Sequence, residues 1–350
     1  MTHLTKRIGY QDSGADIAYT LSQTGHKILT PISSPDPRRQ QDWCFPDTEE
    51  GILAAIHAGA THLWANTVVF AEHPLQESGA LTPYEDRVKV VGQPPLCVDW
   101  FDDKAVLNDK LRRRGGFTLP RAWSVDGTAE TGGQGNLETV IASLAQSDYP
   151  LVAKPVRGRG SHGVQVCNSP AELRDHVNRF FNETSSQVLL EEYLHGEEGT
   201  VTIMPPDCVD SRHWALPPVV RFNHVDGIAP YSGLVAVTAN SRAVTKREME
   251  ADESFACIMR ECEEVGVFLG ATAPIRIDIR RFREGGRFAL FDVNLKPNMT
   301  GPGRPGRKDQ ASLMALAAQE RGWDYPAFLR YMLGNARFLR EMRKYSCLRD

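Results

Sequence analysis

The stretch Lys154-Pro155-Val156-Arg157-Gly158-Arg159-Gly160-Ser161-His162-Gly163 governs how the chain is read. Pro150 to Val156 leads in as an apolar strand, and Val164-Gln165-Val166-Cys167 alternates like a second one. The glycine spacing matches the dinucleotide fingerprint, but that fingerprint needs a helix directly after its glycines. A strand, a Gly-rich loop and a strand make a hairpin flap instead. Its glycines let backbone N–H groups close over phosphates, and a Lys in the leading strand adds a point charge. A protein kinase carries such a flap too, but its Lys follows the loop, and this chain has neither H-R-D nor D-F-G. A hairpin with no ligand would account for the same residues.

Two downstream segments narrow the choice. Val188-Leu189-Leu190-Glu191-Glu192-Tyr193-Leu194 is an apolar strand that runs into His195-Gly196-Glu197-Glu198. Such an end either presents backbone groups to a base and a carboxylate to ribose hydroxyls, or simply solvates its acids. Farther on come Arg276-Ile277-Asp278 and Phe291-Asp292-Val293-Asn294-Leu295-Lys296. Strand alternation puts 276 and 278 on one face, and likewise 292 and 294. Joined as an antiparallel hairpin by Arg283-Glu284-Gly285-Gly286, they would bring two carboxylates and an amide oxygen together. Hard oxygen donors of that kind suit Mg²⁺. Arg276 beside them suits a transferring phosphoryl group.

In this order the three segments resemble the ATP-grasp superfamily, and within it the D-alanine–D-alanine ligase-like carboxylate–amine ligases. The resemblance runs from about Val98 to Thr300. It implies that Lys104 and Lys154 bind the nucleotide and that Gly158, Gly160, Ser161 and Gly163 cover its phosphates. It makes Glu191, Glu192, Tyr193 and Leu194 the adenine-side hinge, with Glu198 on the ribose. Asp278, Asp292 and Asn294 would hold two magnesium ions, with Arg276 on the γ-phosphate. The family usually has Glu where Asp292 stands. Two further departures concern the substrate. Tyr10-Gln11-Asp12-Ser13-Gly14 lacks the acid of the family's first loop, and Leu295-Lys296-Pro297-Asn298 replaces its Thr/Ser-x-Pro-Gly. The rebuilt loop, Pro297 to Arg307, offers Asn298, Arg304 and Arg307 as substrate-binding candidates, with a solvated basic loop as the plain alternative. His162 lies in the flap, and Arg221, His224 and Tyr231 lie where relatives place an active-site loop.

The implied architecture is α/β (α+β in the ATP-binding part), an ATP-grasp fold with an N-terminal parallel α/β domain and two clamping subdomains. The expected divisions are residues 1–98, 99–200 and 201–350. The N-terminal part reads as strands at Lys6–Tyr10 and His26–Leu29, a helix from Asp16 to Gln23, and a helix-then-strand unit over Thr48–Ala71. A charged helix follows over Asp99–Arg114, ended by Gly115-Gly116, then a loop over Asp126–Asn136. Beyond Tyr149 the chain reads as strands around a helix at Pro170–Phe181. A helix at Glu248–Leu269, strands at Ala273–Phe282 and Arg287–Asn294, and two C-terminal helices complete the reading.

Composition sets the outer limits. Lys plus Arg is 40 against 44 Asp plus Glu, a net charge of −4, so nucleic acid is not the expected partner. With 41% hydrophobic and 24% charged residues the chain is globular. The seven cysteines are scattered without C-x-x-C, which reads as reduced thiols in a cytoplasmic protein. Met1 to Tyr10 lacks the apolar core of a secretory signal, and Gly51–Ala71 divides into helix and strand, not a membrane span. The function expected is an ADP-forming ligase that uses ATP and Mg²⁺ to join small-molecule carboxylic acids and amines through an acyl phosphate. An ATP-grasp carboxylase using bicarbonate and a non-catalytic nucleotide-binding regulator are the alternatives. A homodimer is left open.

Overall fold

The computed structural model describes residues 7–127, 133–158, 160–183, 187–207, 211–224, 237–307 and 309–345, and these build three sheets. The N-terminal elements are α1 (Arg7–Gln23), α2 (Glu49–His57), β1 (His62–Trp64), α3 (Pro74–Glu77), β2 (Lys89–Val91) and α4 (Pro95–Phe101). β1 and β2 pair in parallel, as the helix-then-strand order predicts. The expected strands at Lys6–Tyr10 and His26–Leu29 are absent: Arg7 to Tyr10 open α1, and residues 26–29 join no sheet. Ser13, Asp16, Ile17, Thr20 and Leu21 are all buried, a three- and four-residue spacing that only a helix turns to one side. That longer periodicity outweighs a reading based on five residues.

The middle elements are α5 (Lys104–Arg114), β3 (Ala122–Val125), α6 (Gly133–Ser143), β4 (Leu151–Pro155), β5 (Gln165–Cys167), α7 (Pro170–Glu183) and β6 (Val188–Glu192). The helix expected over Asp99–Arg114 is divided. Asp103 accepts from the backbone of Ala105 and Val106 at 3.0 and 3.1 Å, capping α5 as a new helix. Gly115, at φ +74°, ends it. The loop expected over Asp126–Asn136 gives way to α6 at Gly133, and residues 128–132 lie outside the described ones. The strands order as β3-β6-β4-β5, every pair antiparallel. Val125, Leu151, Ala153 and Leu190 face α6 and α7, where they pack with Leu137, Leu173 and Val177. Alternation therefore turns Lys154 and Glu191 to the opposite face.

The third group is β7 (Glu198–Met204), β8 (Trp214–Ala215), β9 (Val219–Arg221), β10 (Ser241–Ala243), α8 (Lys246–Ala251), α9 (Glu253–Leu269), β11 (Ile275–Arg281) and β12 (Phe288–Asn294). Its sheet runs β10-β9-β7-β11-β12, with β8 beside β7. The helix expected over Glu248–Leu269 is two, because Asp252 caps α9 at Ser254. Phe255, Ile258, Cys262, Val265 and Leu269 form the buried stripe of α9, packed on Val201, Ile203, Ile275, Ile277, Ile279 and Leu290. The other sheet face is left with Glu198, Thr200, Thr202, Arg276, Asp278 and Arg280.

A β-bulge sits in the last hairpin. Asp278 pairs with Asp292, but Ile279 pairs with Leu290, so Phe291 is the extra residue. Asp292 and Leu290 have the same parity and would otherwise share a face. The bulge lets Leu290 enter the core while Asp292 and Asn294 remain on the polar side. The chain ends in α10 (Leu313–Glu320), α11 (Tyr325–Gly334), β13 (Arg337–Phe338) and α12 (Leu339–Arg343). β13 returns to β2 in antiparallel pairing, so the N-terminal sheet is mixed. Among the described residues no helix is long and apolar enough to cross a membrane.

Candidate active site

The polar faces of the middle and third sheets meet at Lys154. Its Nζ lies 2.6 Å from Glu191 Oε2 and donates to the Phe291 carbonyl at 2.8 Å, the group that the bulge frees. Lys154 and Glu191 are 5% and 3% exposed, so this is a buried ion pair that depends on full pairing. Asn108, buried on α5, donates to the other oxygen of Glu191 at 2.9 Å. Lys104 opens α5. Its amide donates to Val156 O at 2.9 Å, while Nζ reaches Gly158 O at 3.2 Å and Asp292 Oδ1 at 3.6 Å. Two cations from the middle elements thus face the oxygen donors of the last hairpin.

In that hairpin Arg276 lies opposite Asn294, and Asp278 opposite Asp292. Arg276 grips Asp278 bidentately, at 2.9 and 3.0 Å, and Asn294 Nδ2 donates to Asp278 Oδ2 at 3.2 Å. Among the described residues no three His, Cys, Asp or Glu side chains gather as a metal cluster. The set is two carboxylates and one amide, all oxygen donors. That fits Mg²⁺, which takes few protein ligands and completes its shell with water and phosphate oxygens.

The flap needs unusual backbone conformations. Gly160, Ser161 and Gly163 have φ of +64°, +55° and +74°. For Ser161 that is the costly left-handed region, and such strain concentrates at ligand-gripping turns. A Cβ on Gly163 would also crowd Phe180 and Pro155. The hinge residues divide: Glu191 and Leu194 are buried, whereas Glu192 bonds to exposed Arg121. Tyr193 lies under the Arg280 guanidinium, 4.9 Å from its ring centre. Glu198, 4% exposed, meets His224 at 2.9 Å, Arg221 at 3.3 Å and Arg280 at 3.6 Å. Tyr231 lies outside the described residues. Sequence reasoning passed over Asn108 and Arg280, although signals for both were present. Asn108 stands one helical turn after Lys104, and Arg280 continues the same-face series 276, 278, 280.

The Pro297–Arg307 loop differs from the expected pair of open cationic forks. Arg304, 3% exposed, bonds Asp16 at 2.6 Å and Asp12 at 2.5 Å. Arg307 contacts Asp12 and lies 3.1 Å from Asp16. The physical reason is Asp16, fully buried on α1, whose charge needs a partner. Gly301 and Gly303 let the loop sit this close, since a Cβ would run into the Tyr325 ring or the Thr20 hydroxyl. Asn298 is exposed and accepts from Thr300.

Burial raises the Asp16 pKa, against the pull of the arginines. Asp16's own contribution is therefore most favourable below its unfolded value and is lost as pH rises through the native one. Arg304 and Arg307 offset part of that cost. Arg304→Ala is expected to cost about 3–5 kcal/mol in denaturant unfolding, and Asp16→Asn added to it should restore part of the loss. A fully stable Arg304→Ala protein would refute the anchoring role.

Two sheets closing opposed polar faces around a Gly-rich flap, paired lysines and an acidic hairpin define an ATP-grasp fold. The family model D-ala D-ala ligase C-terminus matches residues 128–334, and the chain belongs to that family. The D-alanine–D-alanine ligase of Aquifex aeolicus is 26% identical over 186 residues, 53% of this chain and 56% of that protein. The ligase of Pseudomonas entomophila is 28% identical over 204 residues, 56% and 55% of the two chains. The chain thus spans about half the length of these curated relatives. Among solved structures, D-alanine–D-alanine ligase from Bacillus anthracis complexed with ATP superposes with a TM-score of 0.61 at 17% identity, covering 97% of this chain and 95% of its own. The VanG D-Ala:D-Ser ligase from Enterococcus faecalis gives 0.53 at 18%, covering 74% and 69%.

Proposed function

We propose that the chain is an ADP-forming carboxylate–amine ligase that makes an amide or peptide bond. One observation carries the reading: Lys154 and Lys104, from the middle elements, reach Phe291 O and Asp292 on the last hairpin. Family membership supports it. The γ-phosphate of ATP then lies among Lys104, Lys154 and Arg276 beneath the flap. A carboxylate oxygen attacks the γ-phosphorus and the bond to the bridging oxygen breaks, releasing ADP. An amine nitrogen next attacks the acyl carbon, phosphate leaves, and the nitrogen loses a proton. The cations balance charge spread over the transferring group. Asp278, Asp292 and Asn294 would hold magnesium, which would supply further positive charge for the phosphoryl transfer.

Arg280, Tyr193 and Glu198 sit together on the nucleotide side, with Glu198 on the ribose. The flap excludes water, which would otherwise hydrolyse the acyl phosphate. A matrix of carboxylic acids and amines, read by ADP release, tests the assignment. An acid- and amine-dependent signal is expected. Absence of release with every pair, despite tight MgATP binding, would favour a nucleotide-binding regulator.

A further inference from the structure

A cavity of about 1830 Å³ opens beside the flap, with Arg157, Gly158, Asp99 and Asp102 in its wall. Gly158 is the residue whose carbonyl accepts from Lys104, so the cavity adjoins the expected point of phosphoryl transfer. Its body belongs to the N-terminal elements. Ala18 and Leu21 of α1, Trp43, Phe45, Ile52 of α2 and Trp64 of β1 give it an apolar and aromatic lining. Lys27, Asp47, Glu72, Arg157 and Arg330 of the lining are exposed toward water, whereas Asp99 and Asp102 beside the flap are half-buried, with Arg157 3.9 Å from Asp99. The polar exceptions inside include Tyr10 and Asn66, which Lys296 joins to the last hairpin. Lys296 Nζ donates to Asn66 at 3.2 Å and lies 5.2 Å from the Tyr10 ring centre.

Pockets that enclose a drug-sized molecule measure about 300–1,000 Å³. A methyl side chain would leave nearly all of this space to water. We infer that the acid activated here carries a bulky apolar group, aromatic or branched aliphatic, seated in this cavity with its carboxylate toward the flap. The inference rests on the ligase reading. Burying such a group is worth about 10- to 100-fold in affinity over alanine.

The probes are both enantiomers of alanine, leucine and phenylalanine, with MgATP and the full chain. Binding is read by calorimetry, and turnover by ADP release across the amine matrix. Leucine or phenylalanine is expected to bind at least about tenfold tighter than alanine and to give the higher kcat/KM. Ala18→Trp, which narrows the cavity at α1, should weaken that preference without changing KM for ATP. Ala18→Leu should do so in part and guards against misfolding of the larger variant. Bulky acids that bind in an Ala18-sensitive way without ADP release would uphold the cavity's ligand class and defeat the ligase reading. Alanine bound and consumed as well as phenylalanine, or equal loss of both in Ala18→Trp, would overturn the inference and leave the ligase. Failure of every acid to bind would overturn it too.

Discussion

Lys154→Ala is expected to lower ATP turnover about 100- to 1000-fold or more, the usual cost of removing a charge aimed at a transition state. The same substitution strands Glu191 in the interior, so stability should fall by about 3–5 kcal/mol. The two losses can be separated. Lys154→Ala with Glu191→Gln removes the orphaned charge while Asn108 keeps a hydrogen-bond partner, so stability should recover while turnover stays low. Urea unfolding and ADP release on the three proteins decide the matter. Normal ATP turnover in Lys154→Ala would mean that the phosphates bind elsewhere.

Asp278→Asn is the second large effect. Asp278 lies at the centre of the hairpin site, held by Arg276 on one side and by Asn294 on the other. The amide would lose the charge that fixes Arg276 and one of two carboxylates available to magnesium. The Mg²⁺ concentration for half-maximal rate should rise about 10- to 100-fold, and kcat should fall about 100-fold at saturating metal. Asp292→Asn should show the metal effect as well, and it also removes a negative charge 3.6 Å from Lys104. A titration of rate against Mg²⁺ for both variants makes the comparison. Unchanged metal dependence in both would place the ion at other residues.

Much of the hairpin could be read from spacing alone. A strand has a period of two, so Arg276 with Asp278, and Asp292 with Asn294, fall on common faces wherever the strands lie. The flap was equally legible, because strand-like residues on both sides of the glycines exclude a helix. The N-terminal region was read less well. The five residues Lys6–Tyr10 read as a short strand, whereas burial over Ser13 to Leu21 runs at helical spacing. The fate of Arg304 and Arg307 was not visible either, since their partners Asp12 and Asp16 stand almost three hundred residues earlier. A loop with two arginines reads as an open anion site until the buried carboxylates beneath it are known.

Local pattern by itself determined the family: a Gly-rich flap, an apolar strand ending in acids, and an oxygen-rich hairpin, in an order that names it. These are properties of neighbours in sequence, set by strand period and glycine freedom. Tertiary structure decided the rest. It placed Lys154 on Glu191 and the Phe291 carbonyl, and it inserted the bulge that turns Asp292 to the site while Leu290 goes to the core. It also tied the Pro297–Arg307 loop to α1 through Asp12 and Asp16, and it left an apolar cavity where the flap adjoins the N-terminal elements. Those features depend on the close approach of distant segments, fixed by how apolar faces and buried charges find partners when the chain packs.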